Sequence, residues 1–213
     1  SGMGPINPQD LNTIVEREGL TICATHIGFN RLQNDLEAVI NEHKLWGCKY
    51  VGLGSMPEEY RKDKAGFINF AGEVSIIADR LQENGLQFIY HNHNFEFVKF
   101  ANKTGLDILL ENYNQSIDFE IDTYWVQAGG ADPAQWIRKV AGRMDVVHFK
   151  DMSVDGSNVI MAEVGGGNLN WDRIIQACED IGVEWICVEQ DICQRDPFES
   201  LTISLKNLKA MGL

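Results

Sequence analysis

Apolar segments able to form strands begin near residues 20, 50, 86, 117, 145 and 184, at intervals of about 30 to 39 residues, each holding one amphipathic helical pattern. That is the period of a βαβ unit. A crossover of this length joins parallel strands, and parallel strands are covered by helices on both faces, so they read as continuous apolar runs. Two architectures satisfy the pattern: an open doubly wound sheet and an α/β barrel of the (β/α)8 type. Both place ligands at the carboxyl ends of the strands. The barrel is the expectation, because ligand-type side chains end five of the six strands, whereas an open sheet gathers its site at one switch point.

The expected elements follow from local signals. Helices are read over Pro8–Glu18, Leu32–Leu45, Phe67–Asn84, Thr104–Glu111, Ala134–Val140, Asn170–Ile181 and Pro197–Leu208, and strands over Leu20–Ile27, Tyr50–Leu53, Leu86–His93, Ile117–Asp122, Asp145–Lys150 and Glu184–Gln190. Gly19, Gly47 and Gly85 supply helix stops, and Asp132-Pro133 an N-cap followed by proline at the first helical position. Glu58–Lys64 reads as a solvated loop. The whole chain, residues 1–213, is expected to form one domain.

Composition excludes several functions. A net charge of -13 is wrong for a nucleic-acid groove or an anionic membrane surface, both of which need clustered Lys and Arg. Five scattered cysteines without a CxxC pair suggest neither a disulfide framework nor a structural zinc knot, which points to a reducing, cytoplasmic setting. No apolar run approaches the roughly 18 residues that a transmembrane helix needs.

The chemistry concentrates at the strand ends. FIYHNHNFEF (Phe88–Phe97), IDFEIDTYW (Ile117–Trp125), VVHFKD (Val146–Asp151) and WICVEQD (Trp185–Asp191) each run from apolar residues into ligand-type ones. Asp122, His148 and Glu189 end three successive strands. Two carboxylates and an imidazole suit Mn2+, Mg2+, Co2+ or Zn2+ rather than a thiolate-preferring metal; a salt-bridged Asp and a satisfied core His are the alternatives. Alternation puts His91 and His93 on one strand face, either of them a fourth ligand, a substrate contact or a hydrogen-bonding group behind the ligands. Glu120 shares its face with Asp122 and Lys150 with His148, lining the interior or forming a structural Glu120–Lys150 ion pair. His26 can reach the mouth of the site, and Tyr124 and Trp125 can wall a sugar ring; all three can equally be structural. Gly165-Gly166-Gly167 is either a flexible loop or a phosphate cradle.

Together the segments HNHNFEF, FEIDTYWVQAGGADPAQWI, VVHFKDM, EVGGGNLNWDRI and CVEQD resemble the sugar phosphate isomerase/epimerase group of the xylose-isomerase-like TIM barrels, over nearly the whole chain. The resemblance implies one divalent metal ion (Mn, Zn, Co or Mg) held by a Glu, an Asp, a His and a second Glu at the ends of the fifth to eighth strands. Asp122, His148 and Glu189 take three of these places, and His91 falls where the first Glu is expected. It implies a small sugar substrate, with metal polarisation of a carbonyl and proton transfer at the adjacent carbon. Glu189 is then the base or acid, with His91, His93 or Glu120 as its partner, and His26, His93, Trp125 and Lys150 as substrate contacts. Because the first Glu of that set has no match, a dehydratase or lyase acting on a keto-sugar is an alternative, and with the missing strands a non-catalytic sugar-binding barrel is another. An apurinic endonuclease, from the same superfamily, is disfavoured by the charge.

Mapped on that family, the six strands are the third to the eighth, so the barrel is incomplete. Strand edges at Leu20–Ile27 and Glu184–Gln190 are then unpaired, and such edges invite pairing. Cover by a second copy in a homo-oligomer, by Ser1–Gln9, or by strand exchange is expected.

Overall fold

The computed structural model describes residues 6–213. Six parallel strands carry the fold: β1 (Ala24–His26), β2 (Tyr50–Leu53), β3 (Gln87–His91), β4 (Ile117–Asp122), β5 (Val146–Phe149) and β6 (Trp185–Val188). Nine α-helices are described: α1 (Pro8–Arg17), α2 (Phe29–Asn34), α3 (Leu36–Trp46), α4 (Lys64–Glu83), α5 (Gly105–Asn112), α6 (Thr123–Ala128), α7 (Pro133–Lys139), α8 (Trp171–Ile181) and α9 (Pro197–Ala210). The chain packs as two compact units, one running up to His91 and including Val98–Phe119, the other Asn92–Phe97 with Glu120–Leu213.

In the first unit the strand order is β1-β2-β3 followed by the opening half of β4. The register pairs His26 with Gly52 and Leu53 with Tyr90. Tyr50, Val51, Leu53, Phe88, Ile89 and Tyr90 are all buried, as strands covered on both faces require. Helix α4 covers them with Phe67, Phe70, Ala71, Val74, Ala78 and Leu81, the three- and four-residue spacing of a single helical face. Gly52 is obligatory, since a Cβ there would run into the Thr25 carbonyl of β1.

In the second unit the order is β4-β5-β6. Asp122 lies opposite His148, and Val188 opposite Phe149. Val146, Val147 and Phe149 are buried, as are Ile137 of α7 and Ile174 and Ala177 of α8, and the Phe149 ring meets Trp171 of α8 at 4.9 Å. Among the described residues β1 has β2 as its one strand neighbour and β6 has β5, so the expected edge strands are present. Of the segment expected to cover them, Ser1–Pro5 lies outside the described residues. From Ile6 on, the chain leads into α1, where the Trp46 indole at the end of α3 donates to the Pro8 carbonyl.

Several elements differ from the sequence reading: the strand expected over Leu20–Ile27 is confined to Ala24–His26, and Glu58–Tyr60, within the expected loop, forms a 3-10 turn. The helix expected over Leu32–Leu45 is two helices, because Asp35 adopts φ -141° and ψ 36° and ends α2 before α3 begins. Helix α6 was not foreseen; its N-cap is Asp122 itself, whose carboxylate accepts from the Trp125 amide. The segment after β5, read as a Gly-rich loop, contains an antiparallel hairpin of Asp151–Asp155 and Asn158–Ala162, turning through Gly156 at φ 58°.

The remaining part of that loop is fixed by one carboxylate. Buried Asp151 accepts from the amides of Met152 (2.7 Å), Gly165 (2.9 Å), Gly167 (3.0 Å) and Leu169 (3.2 Å), and from the Trp171 indole (2.6 Å). The phosphate-cradle reading of Gly165–Gly167 is therefore corrected. Amides that would have held an anionic ligand hold Asp151 instead. Gly167 is required for it, because a Cβ would collide with the Met152 carbonyl and the Asp151 carboxylate.

Candidate metal centre

Glu120 and Asp122 leave β4 two residues apart and so project to the same face. Asp122 is held at both ends: its amide donates to Asn92 Oδ1 (3.1 Å), and its Oδ1 accepts from the Trp125 amide (2.9 Å). Its Oδ2 is left toward the site, 4.0 Å from His148 Nδ1. His148, near the end of β5, has Nδ1 3.1 Å from Glu189 Oε2 and Nε2 3.1 Å from Glu120 Oε1. Ligand-type atoms of Asp122, His148 and Glu189 lie within 4.8 Å of one another. The sequence-based grouping of these three strand ends is the arrangement observed.

Charge balance in the cluster comes from two cations. Burial pulls the His148 pKa down, but the Glu120 and Glu189 carboxylates outweigh it and raise the imidazole to about 10 from 6.5. Lys150 is 1% exposed, with Nζ 2.6 Å from Asp191, 3.1 Å from Glu189 and 3.5 Å from Asp122. Burial opposes its charge, and Asp122 and Glu189, followed by Asp191, overcome this and raise its pKa. The alternative of a Glu120–Lys150 pair is thus replaced by a different pairing: Glu120 holds His148, and Lys150 holds the other three carboxylates. Thr123 locks the Lys150 backbone, accepting from its amide (3.0 Å) and donating to its carbonyl (2.8 Å).

Tyr124, Trp125 and His93 gather beside this cluster in the same unit. The Lys150 ammonium lies 5.2 Å from the Trp125 ring centroid and 5.9 Å from that of Tyr124. His93 stacks on Phe95 at 5.8 Å and meets Trp125 at 5.0 Å. It stands beyond the end of β3, so strand alternation does not govern where it points. The Trp125 indole N–H is buried with no hydrogen-bond partner among the described residues.

His91 and His26 belong to the first unit. His91 Nδ1 lies 3.1 Å from the Gly54 carbonyl, and the two rings meet edge-on at 5.1 Å. His43 is structural, its ring nitrogens 2.7 Å from the Thr25 hydroxyl and 2.7 Å from the Val39 carbonyl.

Sequence reasoning left Asn92, Glu96, Thr123 and Asp191 without roles. Buried Glu96 accepts from the His93 amide at 2.9 Å and so shapes the loop that carries the ring. Asp191 follows Glu189 by two residues in the segment after β6, and both reach the Lys150 ammonium.

A profile of the xylose isomerase-like TIM barrel family matches residues 5–210. Inosose dehydratase of Lacticaseibacillus casei is 26% identical over 153 residues, which are 63% of this chain and 51% of that protein. The chain thus spans about half the length of that curated relative. A sugar phosphate isomerase/epimerase from Parabacteroides distasonis superposes with a TM-score of 0.80 at 21% identity, covering 97% of this chain and 77% of that one. A probable 3-DHS dehydratase from Bacillus anthracis gives 0.73 at 14% identity, with 94% and 81% covered. Six parallel strands, a family match over nearly all residues and these neighbours agree: the chain belongs to the xylose isomerase-like TIM barrel family, in an incomplete form of the barrel.

Proposed function

We propose that this chain is a divalent-metal-dependent enzyme that moves a proton at the carbon next to the carbonyl of a small sugar or cyclic keto-polyol, an isomerase or epimerase. The observation that carries it is the convergence of Asp122, His148 and Glu189 within 4.8 Å. Two carboxylate oxygens and an imidazole nitrogen fit Mn2+, Zn2+, Co2+ or Mg2+. When bound, such an ion polarises the carbonyl and acidifies the neighbouring C–H.

The chain's own groups supply the remainder. Glu120 on His148 Nε2 fixes the ring and leaves Nδ1 toward Glu189, so that this nitrogen would be the one to hold a metal, the carboxylate–histidine pairing common behind metal ligands. Glu189 takes the proton, and the Lys150 ammonium beside it stabilises charge developing on oxygen. Trp125 and Tyr124 cover the ring face, and the Trp125 N–H donates to a substrate hydroxyl. His93 packs on Trp125. The expected roles of His91, as ligand or acid–base partner, and of His26, as substrate contact, stand as proposals read by alanine variants in the same assays.

A second reading, dehydration of a keto-sugar, is favoured by the ammonium next to Glu189. A base and an acid side by side can remove a proton and hand another to a leaving hydroxyl. Incubating the Mn2+-loaded protein in D2O with unphosphorylated ketoses and inososes separates the two. Deuterium appearing next to the carbonyl by NMR indicates isomerase or epimerase chemistry, and an enone ultraviolet band indicates dehydration. Neither signal with any of the four metals would overturn the proposal.

Metal uptake has a pH signature. His148 held at about 10 keeps its proton at neutral pH, and a ligand nitrogen must lose it. We expect proton release on Mn2+ binding and an affinity that rises with pH up to about 10, measured by calorimetry in buffers of different ionisation enthalpy. The stability sign is the reverse. A folded pKa above the unfolded 6.5 adds stability that is complete below 6.5 and lost as pH climbs through about 10.

Two further proposals concern setting. Five free cysteines suit a reducing cytoplasm, and no helix among the described residues is long and apolar enough to cross a membrane. The edges of β1 and β6 suit pairing with a second copy. Solution scattering at micromolar protein should give at least a dimer, and a strict monomer would contradict it.

A further inference from the structure

Two of the three carboxylate oxygens around the Lys150 ammonium are the ones assigned above to the metal. Nζ is 3.1 Å from Glu189 Oε2 and 3.5 Å from Asp122 Oδ2. The same Glu189 oxygen also receives His148 Nδ1 at 3.1 Å. An ion arriving at Asp122 and Glu189 therefore meets oxygens already shared by a buried positive charge. Like charges a few ångström apart in a buried site repel strongly.

Lys150 cannot withdraw into solvent. Its backbone is tied through Thr123, its side chain is 1% exposed, and Trp125 and Tyr124 flank the ammonium. The third carboxylate is different. Asp191 Oδ2 is the nearest of the three at 2.6 Å, and its side chain is 46% exposed, outside the set read as ligands.

We propose that Lys150 is an internal counter-ion that competes with the divalent metal for Asp122 and Glu189, and that Asp191 is a positioning residue that draws the ammonium aside as the metal binds. The idea rests on the metal reading of the site. Its consequence is a metal affinity set by a side chain that touches no metal. Removing the ammonium frees the two ligand oxygens, and removing Asp191 leaves the ammonium with nowhere else to go. Because Asp191 acts through Lys150, its effect disappears when Lys150 is gone, apart from a small screened charge effect at a half-exposed position.

The test is a double-mutant cycle read by Mn2+ titration calorimetry on metal-stripped full chain at one pH. Lys150→Met should tighten Mn2+ binding by about 10-fold or more and Asp191→Asn should weaken it by about 10-fold; in the Lys150→Met background Asp191→Asn should change Kd by less than about 3-fold. An additive cycle, or weaker binding in Lys150→Met, overturns the proposal while leaving the metal site standing. A parent chain that binds no Mn2+ overturns the metal reading and this inference with it. If circular dichroism shows Lys150→Met unfolded, Lys150→Gln takes its place. Asp191→Asn at a half-exposed position still decides alone, and unchanged affinity there refutes the role of Asp191.

Discussion

Asp151→Ala should lower stability by about 3–5 kcal/mol, the range expected when a buried charged acceptor is removed and its donors are left unpaired. Five donors converge on this carboxylate, from Met152, Gly165, Gly167, Leu169 and the Trp171 indole. The carboxylate itself is fully buried, and Trp171 is buried as well. For a chain of this size the loss corresponds to a drop in Tm of roughly 10–15 °C by circular dichroism. Asp151→Asn should lie between the parent and Asp151→Ala, because an amide keeps one acceptor but turns an NH2 toward donors. A change below about 1 kcal/mol in Asp151→Ala would show that the loop from Gly165 to Trp171 is held by other means.

The second large effect is chemical. Glu189→Gln removes the group assigned to proton transfer and one metal ligand, and leaves Lys150 paired with Asp122 and Asp191. Turnover on whichever keto-sugar gives exchange should fall by about 10²–10⁴-fold, the usual contribution of a positioned acid–base group. Thermal stability should change little, since Glu189 is partly exposed and ends an edge strand. Retention of exchange in Glu189→Gln would move the base elsewhere, with His93 the first candidate in the same unit.

Much of this was legible in the sequence, for identifiable reasons. Parallel strands buried on both faces must be apolar throughout, so FIY and VV stand out, and the residue that follows the apolar run is the one at the strand end. Asp122, His148 and Glu189 were found that way. What escaped depends on contacts across sequence distance. Nothing near Asp151 announces that amides 14 to 18 residues later will close on it. Lys150 illustrates the same limit. Its spacing from His148 gave the correct face, but its partners were decided by where Glu189 and Asp191 arrive from β6. The β-hairpin through Gly156 escaped as well, because the Gly-rich stretch beyond it drew the reading toward a loop.

The proposed function stands on metal binding at the ends of β4, β5 and β6. Metal content by inductively coupled plasma mass spectrometry, on protein purified without chelator and dialysed against Mn2+, tests it most directly. Near one equivalent of Mn, Zn, Co or Mg per chain is expected in the parent and none in the Asp122→Ala, His148→Ala double variant. A parent that holds no metal after such loading, or a double variant that holds as much as the parent, would contradict it.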